Sequence, residues 1–277
     1  MKNIILIFTF TLICTDIFAQ ISIQGKSDPA LDSLFNHRVK SLDEFYARFN
    51  GDEFDPGISP EAPESRENNI LTLFDKQWLL GTQEKDGDKN SLFSDISTFI
   101  KQVCKSKQKL SVDDSLFFAE AKFTVKYLGK DKKIGLILKK ENTGNFIYRW
   151  SIAGVNGLVE NKMLDTTGNN GIRPVDHEMN FVQLRGILNN VSNNLANYRS
   201  YDVNIDPLSY FFALVKSKQI VVSQCDAVVY HCFCVKDFYF RIEKYNRNDY
   251  NSGWLISDFK KITEKEKLIC INKLFDK

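Results

Sequence analysis

The chain lacks an excess of charge of either sign. Its 37 lysines and arginines are nearly matched by 35 aspartates and glutamates, for a net charge of +2. That leaves no basic face or stripe of the kind a nucleic acid needs, so nucleic acid is not expected as a partner. A second long apolar run is also missing, so nothing after the N-terminus is expected to cross a bilayer. Cysteines are few and odd in number once Cys14 is set aside: Cys104, Cys225, Cys232, Cys234 and Cys270. An odd set argues against a complete disulfide framework, and a chain of this length can be held by its hydrophobic core. The glycine pairs at Gly154/Gly157 and Gly168/Gly171 lack the strand-to-helix spacing of a phosphate loop. No serine sits in a nucleophile elbow.

What is present begins with a leader. Lys2 precedes an apolar run from Ile4 to Cys14, and Ile17-Phe18-Ala19 precedes Gln20, the layout of a secretory signal peptide over residues 1–19. A lipoprotein reading through Cys14 is disfavoured, because Ile13 stands where a small residue is wanted. The mature chain is expected to be secreted or periplasmic, with no transmembrane segment once the signal is removed.

The mature chain repeats itself. Lys105-Ser106-Lys107-Gln108 recurs as Lys216-Ser217-Lys218-Gln219, each closing an apolar helical stretch and preceding three strand-like runs. Each third run carries a tryptophan in similar company, Trp150-Ser151-Ile152 and Trp254-Leu255-Ile256. A fixed element order that occurs twice predicts two similar units. The expected division is a first α+β domain over 27–158, a linker over 159–176, a second α+β domain over 177–262 and a tail over 263–277.

Within the first unit the spacing predicts helices over 31–49, restarting at the capping box Ser41-Leu42-Asp43-Glu44, over 68–80, and over 92–104. In the last, Leu92, Phe93, Ile96, Phe99, Ile100, Val103 and Cys104 form one apolar stripe. The period then changes to two, and Phe117 to Val125 alternates apolar with largely charged positions, as in an antiparallel sheet. Turns at Gly129-Lys130-Asp131 and Asn142-Thr143-Gly144-Asn145 lead into further strands. In the second unit a helix is expected near 178–190 and another after the strong start Asp206-Pro207. Strands are expected at 227–235, 238–245 and 252–260.

Helices followed by a strand meander ending in a tryptophan strand, Gly253-Trp254-Leu255-Ile256-Ser257-Asp258-Phe259, resemble the nuclear transport factor 2-like (SnoaL-like, cystatin-like α+β) superfamily. The resemblance covers about 30–155 and, less completely, 177–262. It implies two tandem cone-like domains, each with N-terminal helices packed on a curved antiparallel sheet, often around a pocket. The superfamily includes enzymes, ligand binders, immunity proteins and adaptors, so the fold alone does not assign a role.

The inward strand positions of both units read as apolar or aromatic. Ala119, Ala121, Phe123, Ile134, Leu136, Leu138, Phe146, Tyr148, Trp150 and Ile152 face inward in the first. Tyr230, Cys232, Cys234, Phe238, Phe240, Ile242, Trp254 and Ile256 do so in the second. General acid–base chemistry needs a titratable group there, so no catalytic residue is expected. Tyr148, Trp150, Tyr230 and Trp254 are the expected pocket lining. His231 with Cys232, Cys234 and Cys225 invites a metal reading, but His231 and Cys232 point to opposite faces of a strand and match no zinc spacing. No metal or cofactor is expected. His37 and His177 read as parts of solvated helix surfaces.

One outward face is unusual. Glu120, Lys122 and Thr124 in the first unit correspond to His231, Phe233 and Val235 in the second, with Val229 beside them. An apolar outer face is costly in water, at about 25 cal/mol per Å², so it should be covered by the first domain, by the Leu268–Leu274 segment or by a partner. These four residues are the expected contact surface. The sequence reads best as an exported non-catalytic binding or scaffolding protein, with an unknown protein or small molecule as ligand. The alternatives are a SnoaL-like hydrolase or isomerase drawing on Asp75 or Glu178, and an immunity-type protein-binding module.

Overall fold

The computed structural model describes residues 38–54, 59–62, 64–85, 89–111, 113–144, 148–158, 206–248 and 251–275, together with Phe35 and Asn189. The element order is β1 (Arg38–Val39), α1 (Leu42–Asn50), α2 (Ser65–Thr72), α3 (Lys76–Lys85), α4 (Lys89–Ser106), β2 (Phe117–Tyr127), β3 (Lys130–Asn142) and β4 (Tyr148–Asn156). It continues with α5 (Pro207–Lys216), β5 (Ile220–Cys232), β6 (Phe238–Tyr245), β7 (Ser252–Lys261) and α6 (Glu264–Phe275). The leader, His37, Phe146, His177, Glu178, the expected linker and, apart from Asn189, the expected helix near 178–190 lie outside the described residues.

The chain is α+β, as its pattern predicts, but the two strand triplets are not separate sheets. All seven strands form one open sheet in the order β1-β7-β6-β5-β2-β3-β4. The join is the antiparallel pairing of β2 with β5, running from Phe117 opposite Cys232 to Tyr127 opposite Ile220. The triplets therefore extend outward from a central antiparallel pair, β2-β3-β4 to one side and β5-β6-β7 to the other.

The helices cross over. The helices that precede the first triplet pack on the second: Phe45, Phe49, Phe74, Phe93, Ile96 and Phe99 share a core with Phe238, Phe240, Ile242 and Phe259. The helix that precedes the second triplet packs on the first: Phe211 and Leu214 of α5 bury against Val125, Ile134, Leu136 and Val155. Both helical layers cover the same face of the sheet.

The repeated Lys-Ser-Lys-Gln is a repeated helix stop. In the first copy Lys107 has φ 52°, and the Lys107 and Gln108 amides donate to Cys104 O (3.2 Å) and Val103 O (3.1 Å). In the second, Lys218 has φ 59°, and Lys218 and Gln219 donate to Val215 O (3.0 Å) and Leu214 O (2.9 Å). Each is a left-handed residue closing paired 5→2 and 6→1 bonds, which satisfies carbonyls the helix itself leaves open.

Three expectations need correction. The helix expected over 31–49 is interrupted at Arg38–Val39 and restarts, as expected, at the Ser41 capping box: α1 begins at Leu42, with Ser41 Oγ accepting from the Glu44 amide at 3.1 Å, while most residues before Arg38 lie outside the described ones. Arg38 and Val39 before it are a strand parallel to Ser252 and Gly253. Gly253 is required there: with φ 93°, an added Cβ would lie 1.9 Å from Val39 O. The helix expected over 68–80 breaks at Leu73–Asp75, because this stretch pairs with β7 through Asp75 N to Ile256 O (2.9 Å) and Ile256 N to Leu73 O (2.8 Å). Asp75 then binds Arg247 through both carboxylate oxygens, at 2.7 and 3.0 Å. It is 3 % exposed and locks the β6–β7 turn to α3, so it is not the pocket-mouth acid proposed for a hydrolase.

The polar tail is the third correction. Residues 264–275 form α6, started by a capping box in which Thr263 Oγ1 accepts from the Glu266 amide and Glu266 Oε2 accepts from the Thr263 amide. This helix lies on the face of the sheet opposite the other five. Leu274, Cys270, Ile271 and Phe275 pack there with Phe118, Ile137, Phe233 and Tyr239.

Candidate functional site: two faces of the central strands

On the helix-covered face, strand alternation brings three of the four expected lining residues into one row. Trp150 of β4, Tyr230 of β5 and Trp254 of β7 have ring centroids 6.3 Å and 5.2 Å apart in that order. Phe117 stacks on Tyr230 at 5.4 Å. Tyr148 sits at the far end of β4 opposite Asn142; among the described residues no ring contact joins it to the row.

The row holds a charge that the inward list omits. Lys140 continues the parity of Ile134, Leu136 and Leu138 on β3, and its Nζ lies 4.6 Å from the Phe117 centroid, 5.1 Å from Trp150 and 5.8 Å from Tyr46. No hydrogen bond reaches this nitrogen. The aromatic faces supply cation–π attraction in place of water, while burial still pushes the ammonium below the ordinary lysine range. The inward surface is therefore not free of ionisable groups. Beside it, Cys232 and Cys234 face the same core; the hydrogen bond with the Cys232 thiol, and then burial, push the Cys234 thiol up and hold it protonated.

The opposite face carries a chain of polar groups. His231 Nδ1 meets the Tyr239 hydroxyl at 3.0 Å, and Nε2 faces Glu120 Oε2 at 3.4 Å. Burial raises the Tyr239 phenol above its ordinary range. His231 and Cys232 thus take opposite sides of β5, as alternation requires. The expected contact surface is covered within the chain: Phe233 is 2 % exposed beneath α6, Val229 is buried beside Glu120, His231 is 9 % exposed, and Val235 lies in the core under α1–α4. The Leu268–Leu274 segment covers Phe233, Val235 turns to the other side under α1–α4, and these residues offer no open face to a partner.

Where α6 ends, the same face opens. A cleft of about 630 Å³ is lined by Glu120, Lys122, Phe123, Thr124, Lys133, Ile134, Gly135, Asn156, Gly157, Asp226 and Ala227. Register explains it: Gly135 lies opposite Lys122 and Asn156, and Ala227 lies on the other side of Lys122. Small residues on both flanks of β2 leave a trough that larger ones would fill. A Cβ on Gly135 would stand 2.9 Å from Glu120 Oε1, so glycine also leaves room for that carboxylate.

The walls of the cleft are polar and differ from end to end. At one end Asn156, 6 % exposed, donates Nδ2 to Leu274 O at 3.1 Å and leaves its Oδ1 without a partner. At the other, Asp226 accepts from Thr124 Oγ1 at 2.7 Å and from Gln224 at 3.3 Å. Those bonds, with nearby Lys133, hold its carboxyl below the usual range. Lys122 and Lys133 are exposed beside it. Strand parity could have found Lys140 and paired Glu120 with His231 on one side. The trough could not be read without the β2–β5 register.

Comparison with known proteins finds no matching family model, no similar curated protein and no similar solved structure.

Proposed function

We propose that this chain is an exported, non-catalytic binding protein whose small-molecule ligand occupies the cleft on the α6 side of the sheet. The observation that carries the reading is the cleft itself: about 630 Å³, within the usual range for ligand sites of roughly 300–1,000 Å³, and bordered by the polar side chains of Glu120, Lys122, Thr124, Lys133 and Asp226.

The histidine supports binding over catalysis. Its two ring nitrogens face Tyr239 and Glu120, so neither is turned to a substrate in the cleft. The rival reading, a SnoaL-like hydrolase or isomerase, would use Glu120 as base with His231 behind it; turnover abolished by Glu120→Gln would favour it. The superfamily resemblance enters at the same level. It is supported by two helix-then-triplet units ending in the same cap, and the shared sheet is its main departure from two tandem cones. Export rests on the Lys2-to-Ala19 layout; mass spectrometry of the mature protein should find Gln20 at its N-terminus.

The test of binding is a thermal-shift screen of polar metabolites on the wild type and on Ala227→Phe, which fills the trough. Ligands should stabilise the wild type and lose that effect on the variant. Equal stabilisation of both proteins, or of neither, would remove the cleft as the site.

A further inference from the structure

Independently of the cleft, we infer that Cys232 and Cys234 form a site for one soft monovalent metal ion of the copper(I) class. The ion is held by the two sulfurs alone, as a bis-thiolate on the helix-covered face of the sheet. The inference comes from two thiols in contact and from two buried donors beside them that have nothing to donate to.

The sequence offered a metal only through His231, which turns to Tyr239 and Glu120 on the reverse face. The two thiols stay together. Cys232 ends β5, and the ladder with β2 runs on through the Phe233 amide to Leu116 O at 3.0 Å. Cys234 therefore returns to the side of Cys232: both face one core, and their side chains are in hydrogen-bond contact. Two residues of strand rise separate their Cα atoms by about 6.6 Å, close to the upper limit for a disulfide, about 6.8 Å. A direct bridge would have to draw the backbone in. A linear sulfur–metal–sulfur unit, with bonds near the roughly 2.3 Å of zinc–thiolate, spans about 4.6 Å and suits the wider gap.

Ligand number selects the ion. Thiolates suit copper(I), zinc and iron–sulfur clusters. Zinc takes at least three protein ligands and the clusters take four, and among the described residues no third histidine, cysteine or carboxylate joins the pair. Copper(I) is content with two sulfurs.

Charge selects the sign. Binding exchanges two thiol protons, released to solvent, for one monovalent cation, so the site becomes singly negative. A compensating charge stands ready. Phe117 lies directly opposite Cys232, Lys140 Nζ is 4.6 Å from the centroid of its ring, and Tyr46 meets the same ring edge-on at 5.7 Å. The Lys140 ammonium and the Tyr46 hydroxyl are buried and, among the described residues, donate to nothing. Negative charge on either sulfur favours the ammonium. A divalent ion on two thiolates would leave the site neutral and that ammonium as uncompensated as before. Entry is by way of Cys234, which is half-buried where Cys232 is fully buried. Asp114 beside it is half-buried too and presents a carboxylate to an arriving cation.

The probe is copper(I), delivered without oxygen from its bicinchoninate complex to the full mature chain with its thiols reduced. One equivalent should transfer, and X-ray absorption should show two sulfur neighbours and no nitrogen. Cys232→Ser and Cys234→Ser should each abolish transfer, whereas Cys104→Ser, Cys225→Ser and Cys270→Ser should leave it intact. Lys140→Met removes the ammonium from an apolar setting, and should weaken copper by about tenfold with both sulfur neighbours retained, the lower end of the effect of a group outside the metal's own ligands. If the serine variants fail to fold, the wild-type absorption spectrum still decides. Transfer that survives loss of both cysteines, a nitrogen or third sulfur on the metal, or no transfer to the wild type would each overturn the inference. Ala227→Phe should take copper as the wild type does, so the metal site and the cleft stand or fall separately.

Discussion

The triplets β5–β7 and β2–β4 arise from similar stretches of sequence and differ in what covers them. Four helices close over β5–β7, and Phe99 at the centre of that layer meets Phe49, Phe74, Phe238, Phe240 and Phe259 with ring centroids 5.2–6.4 Å apart. Among the described residues the single helix α5 covers β2–β4 on that face, and on the reverse face, past the end of α6, Gly135 and Gly157 together with Ala227 of β5 open a cleft. One copy has put its side-chain volume into a core. The other has given volume up on one face and kept charges beside the gap. Under the proposed binding reading, the filled half would act as the platform for the open one.

The largest test of this contrast is truncation in each layer. Phe99→Ala should cost about 4 kcal/mol, the middle of the range for a buried phenylalanine, because the rings around it cannot collapse together. Phe211→Ala in α5 should cost less, about 3 kcal/mol, since Phe211 sits on a thinner layer beside the half-exposed Phe212. Urea unfolding of both variants decides it; equal losses would remove the asymmetry. Next in size, Asp75→Asn leaves Arg247 partly buried against Tyr245 without its carboxylate. It should cost about 3 kcal/mol and release the β6–β7 turn, seen as faster amide exchange there with the β2–β3 amides unchanged.

A third test is alkaline pH, which should strike the densely packed half first. Burial raises the phenols of Tyr46, Tyr239 and Tyr245, the last to about 12, and pushes the Cys104 thiol up to about 11. These groups stay protonated in the folded chain and lose protons more readily when unfolded. Their contribution is complete below the ordinary thiol and phenol range and is lost progressively as pH rises from there through the raised folded values. Lys140 acts in the opposite sense, because its lowered value makes the folded state gain relative stability over part of the same rise. The acids outnumber it, so the midpoint of thermal unfolding should fall from about pH 9 upward. A flat profile to pH 11 would show that these rings are not buried as described.

How much of this could be read from the chain depends on whether the cause was local. The helix stops at Lys107 and Lys218, the cap at Asp206 and the strands at 238–245 depend on neighbours in sequence, and each lies where pattern puts it. The capping box Thr263-Glu264-Lys265-Glu266 was equally local, and it went unread because lysines crowd the segment that it starts. The break at Leu73–Asp75 was not local: its partner is Ile256, and no helical period reports a distant strand. The same holds for the join of β2 to β5, on which the cleft depends. Patterns told which side of a strand a residue faces; only pairing told whether that side was covered.

The smallest effect examines the repeat itself. Lys107 and Lys218 both hold a left-handed backbone that costs a residue with a Cβ about 1 kcal/mol or more, part of which glycine returns in the entropy of its unfolded chain. Lys107→Gly and Lys218→Gly should therefore each stabilise the protein, by about 0.5 kcal/mol. Because the two stops share φ near 52–59° and the same pair of carbonyl acceptors, the gains should match even though the layers above them differ. Precise thermal unfolding of the single and double variants would show this as equal, additive shifts, since the caps share no contacts. A gain at Lys107 alone would mean that the second stop is already relaxed by its thinner surroundings, and that the two copies have diverged at the backbone as well as in their side chains.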